Sequence, residues 1–292
     1  MVGQKFRVQV QKAVDPQTGA RVTRYVHERG DDQIFYYSQP SITPDGKKLV
    51  FWSNVSGKYE IHALNFADGE DFSVQLTEGA WYSSDHPCVD WVRNEVFYWS
   101  ELRLMRTQID TLETDWVYER PEGFDPLAIS SNGKYVAFSF HQHINPGRQR
   151  AGERILGGRP QLFLRPTSLI MAVDLDSLEA HYVWGDHNYL CHVQMCPFDT
   201  ELVFFGDQSA ANWQSEIYVL PVALSDDKQP LRLYENNRQR LIYVGHEWFT
   251  QDGWLATQMM EYTGIKDCWN NYADSVGFNS IIRPDGTNMR RA

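Results

Sequence analysis

Gln39, His86, Asp125, His192 and His246 are the residues whose types and placement suit them best for chemistry. Each opens the inner strand of one copy of an internal repeat, where an apolar residue would be equally good strand material. An ordinary imidazole titrates near neutral pH, so the three histidines are candidates for proton transfer or for metal ligation. A polar residue here also has a structural use, since it can satisfy backbone groups. Gln194, in the same segment as His192, is a further candidate contact. Positive charge is in local excess in one stretch, 141–165 (HQHINPGRQRAGERILGGRPQLFLR), with Arg148, Arg150, Arg154, Arg159 and Arg165 against the acid Glu153. The net charge of −11 argues against nucleic acid, which needs basic patches to displace counterions. It argues less against an anionic small molecule, because the local field decides binding. The stretch reads as an Arg-rich insertion loop on one face, with a merely solvated loop as the alternative.

These residues need a scaffold that repeats. The clearest unit begins at Ser38 (SQPSITPDGKKLVFWSNVSGKYEIHALNFADG): a strand, a Pro44-Asp45-Gly46 turn, an apolar strand, a Ser-Asn-Gly loop and another strand. The pattern returns at His86, Asp125, His192 and His246. Recurrent strand units of this size predict an all-β fold, a β-propeller of TolB/WD40-like four-stranded blades, with about five blades in one domain spanning 1–292. In such a fold the residues opening the inner strands converge on one axial mouth. Residues 1–26 are available as the strand that closes the ring. The chain stops soon after the Arg283-Pro284-Asp285-Gly286 turn, which predicts a C-terminally incomplete propeller.

Other chemistries lack their signatures. The sequence has no G-x-S-x-G elbow, no P-loop and no dinucleotide fingerprint. No apolar run approaches the ~20 residues of a membrane span. Residues 1–14 lack a signal-peptide core, so a cytoplasmic location is expected. Cys88, Cys191, Cys196 and Cys268 show no C-x-x-C spacing and read as buried free thiols. His141 and His143 look like a metal pair, but two histidines on one strand without further ligands read better as a loop feature. His27, His62, His181 and His187 read as ordinary surface or core residues.

An ordered set of segments resembles the oligogalacturonate lyases, a TolB-like seven-bladed family of polysaccharide lyases active in pectin degradation. The segments include DPQTGARVTRYV (15–26), LRLMRTQIDTLETDWVYERPEGF (102–124), RPTSLIMAVDLDSLE (165–179), HVQMCPFD (192–199) and GHEWFTQDG (245–253). The resemblance covers nearly the whole chain. It implies β-elimination on short α-1,4-linked galacturonates, giving 4,5-unsaturated products. His246, in the Gly-His-Glu-aromatic motif, then stands where the family has its base. His192, Gln194, His86, Arg159 and Arg165 are the candidate contacts to an anionic oligogalacturonide. The resemblance also implies a bound Mn²⁺, held by an isolated histidine and a terminal Q-x-x-H-x-H. Nothing in this chain matches those ligands, so no metal ligand is assigned. The family's arginine at the substrate carboxylate is replaced by Ser215 or Glu216, and a usual His-Glu pair by Gly206-Asp207. A carboxylate there would repel a uronate by ~1 kcal/mol or more at intermediate dielectric, and the insertion arginines are candidates to compensate. The alternative is a non-catalytic propeller that binds a protein or glycan through its channel face.

Overall fold

The computed structural model describes residues 1–82, 87–143, 166–197, 199, 202–209, 214–222, 229–233, 241–250, 252–262 and 275–291. Every regular element among them is a strand, and the strands form five antiparallel sheets. The chain divides into two compact units, Met1–Arg120 and Pro121–Ala292.

The first unit opens with β1 (Lys5–Val14), β2 (Arg21–His27), β3 (Asp32–Ile34), β4 (Lys48–Ser53), β5 (Glu60–Asn65) and β6 (Phe72–Gln75), ordered β2-β1-β6-β5-β4-β3 in one sheet. A second sheet is the meander of β7 (Cys88–Asp90), β8 (Glu95–Ser100), β9 (Arg103–Gln108) and β10 (Thr114–Glu119). The inner strands are continuous apolar runs because both their faces are covered: Val50, Trp52, Ile61, Val89 and Val96 all lie in one buried cluster. The Pro44-Asp45-Gly46 turn forms as its chemistry requires. Gly46 takes φ 70°, its N–H donates to the Thr43 carbonyl at 2.8 Å, and the Thr43 hydroxyl donates to Asp45 at 2.6 Å.

Residues 1–26 act differently from the expected closing strand. Asp15 accepts from the N–H groups of Gln17 and Thr18, which fixes a tight turn and folds β1 back on β2. The start of β1 then pairs β6 through Lys5↔Val74, Phe6↔Ser73 and Arg7↔Phe72. Short loops close at low entropic cost, so a local hairpin forms readily.

The second unit holds three four-stranded meanders in sequence order. They are β11 (Phe124–Ser131), β12 (Tyr135–Gln142), β13 (Ser168–Asp174) and β14 (Ala180–Asp186); β15 (Leu190–Met195), β16 (Leu202–Ser209), β17 (Gln214–Pro221) and β18 (Leu231–Arg232); and β19 (Leu241–Phe249), β20 (Leu255–Tyr262), β21 (Ser275–Ile282) and β22 (Arg290–Arg291). Ala137, Ile170, Val193 and Leu220 form the core between the first two sheets, and Val219, Leu255 and Met259 that between the last two. Most of the Arg-rich stretch, 144–165, lies outside the described residues. Its roots are described: it leaves β12 and re-enters β13 where His141 pairs Ser168, at one end of a single hairpin.

A buried polar cluster lies in the first unit. His27 hydrogen-bonds Asp32 through Nδ1 at 2.7 Å and the Ser73 hydroxyl through Nε2 at 2.9 Å. His62 Nδ1 reaches the same hydroxyl at 3.3 Å, and its Nε2 is buried without a partner. Burial, reinforced by the neighbouring His27, pushes the His62 imidazole down to about 3. An unfolded histidine keeps its ordinary value of 6.5, so between those values the unfolded chain takes up a proton that the folded chain refuses. The His62 contribution is therefore complete above pH 6.5 and is lost as pH falls towards 3. Denaturant unfolding of this unit should lose up to ~2 kcal/mol between pH 7 and 5 from this residue, and His62→Gln should flatten that slope.

Candidate functional site

The site is built on the first strands of the three sheets of the second unit. Each has a break in register against its neighbour: Pro126/Ile129 in β11, Cys191/Gln194 in β15 and Gly245/Glu247 in β19. A bulge places an extra residue in one strand and re-aims its side chain. In β15 and β19 the extra residue is a histidine in the left-handed region, His192 with φ 54° and His246 with φ 58°. The other non-glycine residues with positive φ among those described, Asn94, Glu101, Leu112, Leu178 and Asn288, all lie outside strands. Two histidines held there within strands mark a costly backbone choice, and such choices cluster at functional sites.

Side-chain partners then orient the imidazoles. His192 Nδ1 lies 2.8 Å from Glu247 Oε2. Glu247 is almost fully buried, and its backbone carbonyl accepts from the Gln194 amide at 2.7 Å. One residue of β19 therefore grips β15 twice. An ionised carboxylate can only accept, so His192 Nδ1 carries a proton in this contact. The exposed His246 points elsewhere, with Nδ1 3.0 Å from Gln258 Oε1 on β20. With the amide oxygen as acceptor, Nδ1 of His246 carries the proton and Nε2 the lone pair.

Asp125, at the start of β11, hydrogen-bonds His143 Nδ1 at 2.7 Å. His141 and His143 do not share a strand face. His141 is buried in β12 beside the Tyr189 ring, and burial pushes its imidazole down, while His143 lies beyond the strand end and is exposed. Ser168, on the other root of the Arg-rich stretch, accepts from the Leu190 N–H at 3.3 Å, two residues before His192. The insertion is thus rooted beside the start of β15.

Of the residues singled out in the sequence, His192 and Gln194 are brought together on Glu247, and His246 is the residue preceding it. Gln39 is buried in the first unit. His86, Arg159 and Arg165 lie outside the described residues. Sequence reasoning missed Glu247 and Gln258. The Gly-His-Glu-Trp motif contained Glu247, but nothing local signals a carboxylate that binds across to another sheet. The described geometry offers an exposed imidazole at His246 and, in the residue that follows it, a buried carboxylate that holds the His192 imidazole.

The profile of a protein family described as oligogalacturonate lyase matches residues 1–276. Comparison with curated proteins gives no significant match. Among solved structures, an oligogalacturonate lyase in complex with manganese aligns over 99% of this chain and 73% of its own, at 19% identity and a TM-score of 0.79. An oligogalacturonate lyase from Vibrio parahaemolyticus aligns over 100% of this chain and 86% of its own, at 19% identity and a TM-score of 0.73. A TolB-type protein from Agrobacterium tumefaciens follows at 14% identity, covering 92% and 83%, with a TM-score of 0.54. At these identities the likeness establishes the β-propeller fold.

The left-handed backbone at His246 is directly testable. Asparagine tolerates that region, whereas a β-branched side chain does not. His246→Val should therefore unfold at lower denaturant than His246→Asn, by about 1–2 kcal/mol, and equal stability of the two variants would refute the strained bulge.

Proposed function

Because the chain belongs to the oligogalacturonate lyase family, we propose that it cleaves short α-1,4-linked galacturonides by β-elimination, with His246 as the base. The observation that carries this reading is the placement of His246: an exposed imidazole at the bulge of β19, with its Nδ1 3.0 Å from the Gln258 amide oxygen. The proton on C5 of a uronate is made acidic by the adjacent carboxylate, and removing it requires a neutral base within reach. An amide partner holds the ring without adding charge.

The developing negative charge on the C6 carboxylate calls for a cation. The family resemblance implies Mn²⁺ for this role, and one solved relative is in complex with manganese. Among the described residues no group of three or more His, Cys, Asp or Glu side chains could hold such an ion, so they do not fit it and no step is drawn through it. Arg159 and Arg165 are assigned here as contacts to the substrate carboxylates, supported by the root of their segment beside β15. His192 and Gln194 line the same strand. His86 is kept as a further contact at the equivalent position of its repeat. A cytoplasmic location is part of the same proposal.

His246→Ala, given digalacturonate, should form 4,5-unsaturated product about 10²–10⁴-fold more slowly than the parent chain. Unchanged turnover would remove His246 as the base, and no product from the parent chain would favour a glycan-binding role instead.

A further inference from the structure

The first unit contains a cavity of about 190 Å³, lined by the β1–β2 hairpin and by β3, β4 and β5. Val8, Tyr25, Ile34, Leu49, Phe51 and Leu64 supply its apolar walls. Val8, Phe51 and Leu64 also form one buried cluster with Tyr25 and Leu49 packed against it, so tightly packed side chains shape the space. An engineered apolar cavity of ~150 Å³ takes up benzene, so this one has room for a single ring-sized group.

One part of the wall is charged. The Asp32 side chain is 25% exposed in the cavity wall, whereas the His27 ring bonded to it is 1% exposed. Burial opposes ionisation of Asp32, but hydrogen bonds from His27 and Ser53 outweigh it and hold the carboxyl below its ordinary value. Among the described residues His27 is its ion-pair partner, and no lysine or arginine pairs with it. The imidazole fixes the carboxylate in place, with Nδ1 2.7 Å from Asp32 and Nε2 2.9 Å from the Ser73 hydroxyl. Ser73 is fully buried and takes no part in the cavity wall, so this Asp-His-Ser relay presents no nucleophile to a substrate. Its use is positional.

A fixed carboxylate among hydrocarbon and aromatic walls selects its ligand by complementarity. A cation gains a charge-assisted hydrogen bond from Asp32 and attraction from aromatic rings such as those of Tyr25 and Phe51. The rest of the ligand is apolar, because most of the wall offers it only hydrocarbon. A carboxylate or phosphate would meet Asp32 as a like charge. We propose that this cavity binds a small organic ammonium ion, a primary amine on an apolar body of about one ring, with Asp32 as its counter-ion. The site belongs wholly to the first unit and does not depend on the lyase reading.

The test titrates four probes into the full ¹⁵N-labelled chain and follows amide chemical shifts. Benzylammonium should bind at least ~10-fold tighter than benzyl alcohol, which has the same body without the charge. It should move the amides of Tyr25, Asp32 and Ile34. Methylammonium, the charge without the ring, should bind at least ~10-fold more weakly than benzylammonium, and benzoate should not bind. Asp32→Asn keeps the size and an acceptor for His27, and should bring benzylammonium to the level of the alcohol. Ile34 is 61% exposed, so Ile34→Trp narrows the mouth without disturbing the core and should weaken both ring-bearing probes ~10-fold. It decides the matter if Asp32→Asn does not fold. Equal affinity for amine and alcohol, or no binding of the amine, would overturn the proposal. So would amine binding that either folded variant leaves unchanged, or shifts confined to residues outside the cavity.

Discussion

The contact between His192 and Glu247 ties together what would otherwise be two independent sheets. It joins the first strand of one four-stranded meander to the first strand of the next at 2.8 Å, and the Gln194 amide reinforces it at 2.7 Å on the Glu247 carbonyl. A buried carboxylate without such partners would be strongly destabilising. Satisfied in this way, it fixes the separation and register of β15 and β19. The residue before it, His246, inherits that precision without belonging to the contact. A site whose reacting groups come from separate sheets needs such a tie, because small misplacements are costly in rate.

The bulges supply the second constraint. In a regular strand successive side chains alternate between faces, so His192 would be locked to the parity of its neighbours. The extra residue breaks parity at each of the two histidines. The left-handed backbone carries a cost, which is borne where the strand is anchored: Cys191 and Gln194 are buried on either side of His192, and Glu247 follows His246 in the core.

The strand units were legible because they are local. Turn residues such as Asp45 and Gly46, and apolar runs such as Leu49–Trp52, reveal their conformation within a few positions. The meander order and the all-β class follow from that, and the family profile and the solved relatives agree. Alignment of the repeats singled out His192 and His246, which the structure sets inside β15 and β19 and not at the strand starts. What could not be read was which partner each imidazole chooses. Gln258 is on the neighbouring strand and Glu247 on a neighbouring sheet, so neither pairing leaves a trace in spacing. The bulges are hidden for the same reason, since a histidine does not advertise a left-handed backbone as glycine does. The N-terminal pairing of β1 with β6 joins residues about seventy positions apart, a choice decided by tertiary competition.

The central claim is that Glu247 holds the His192 imidazole across two neighbouring sheets while Gln258 orients the His246 imidazole. Imidazole nitrogen NMR on chain labelled with ¹⁵N-histidine tests it most directly, with the two residues assigned by His246→Asn and His192→Asn. The Nδ1 signal of His246 should respond to Gln258→Ala, and that of His192 should show a hydrogen bond that Glu247→Gln weakens. A His246 signal indifferent to Gln258→Ala, or a His192 signal indifferent to Glu247→Gln, would contradict the account.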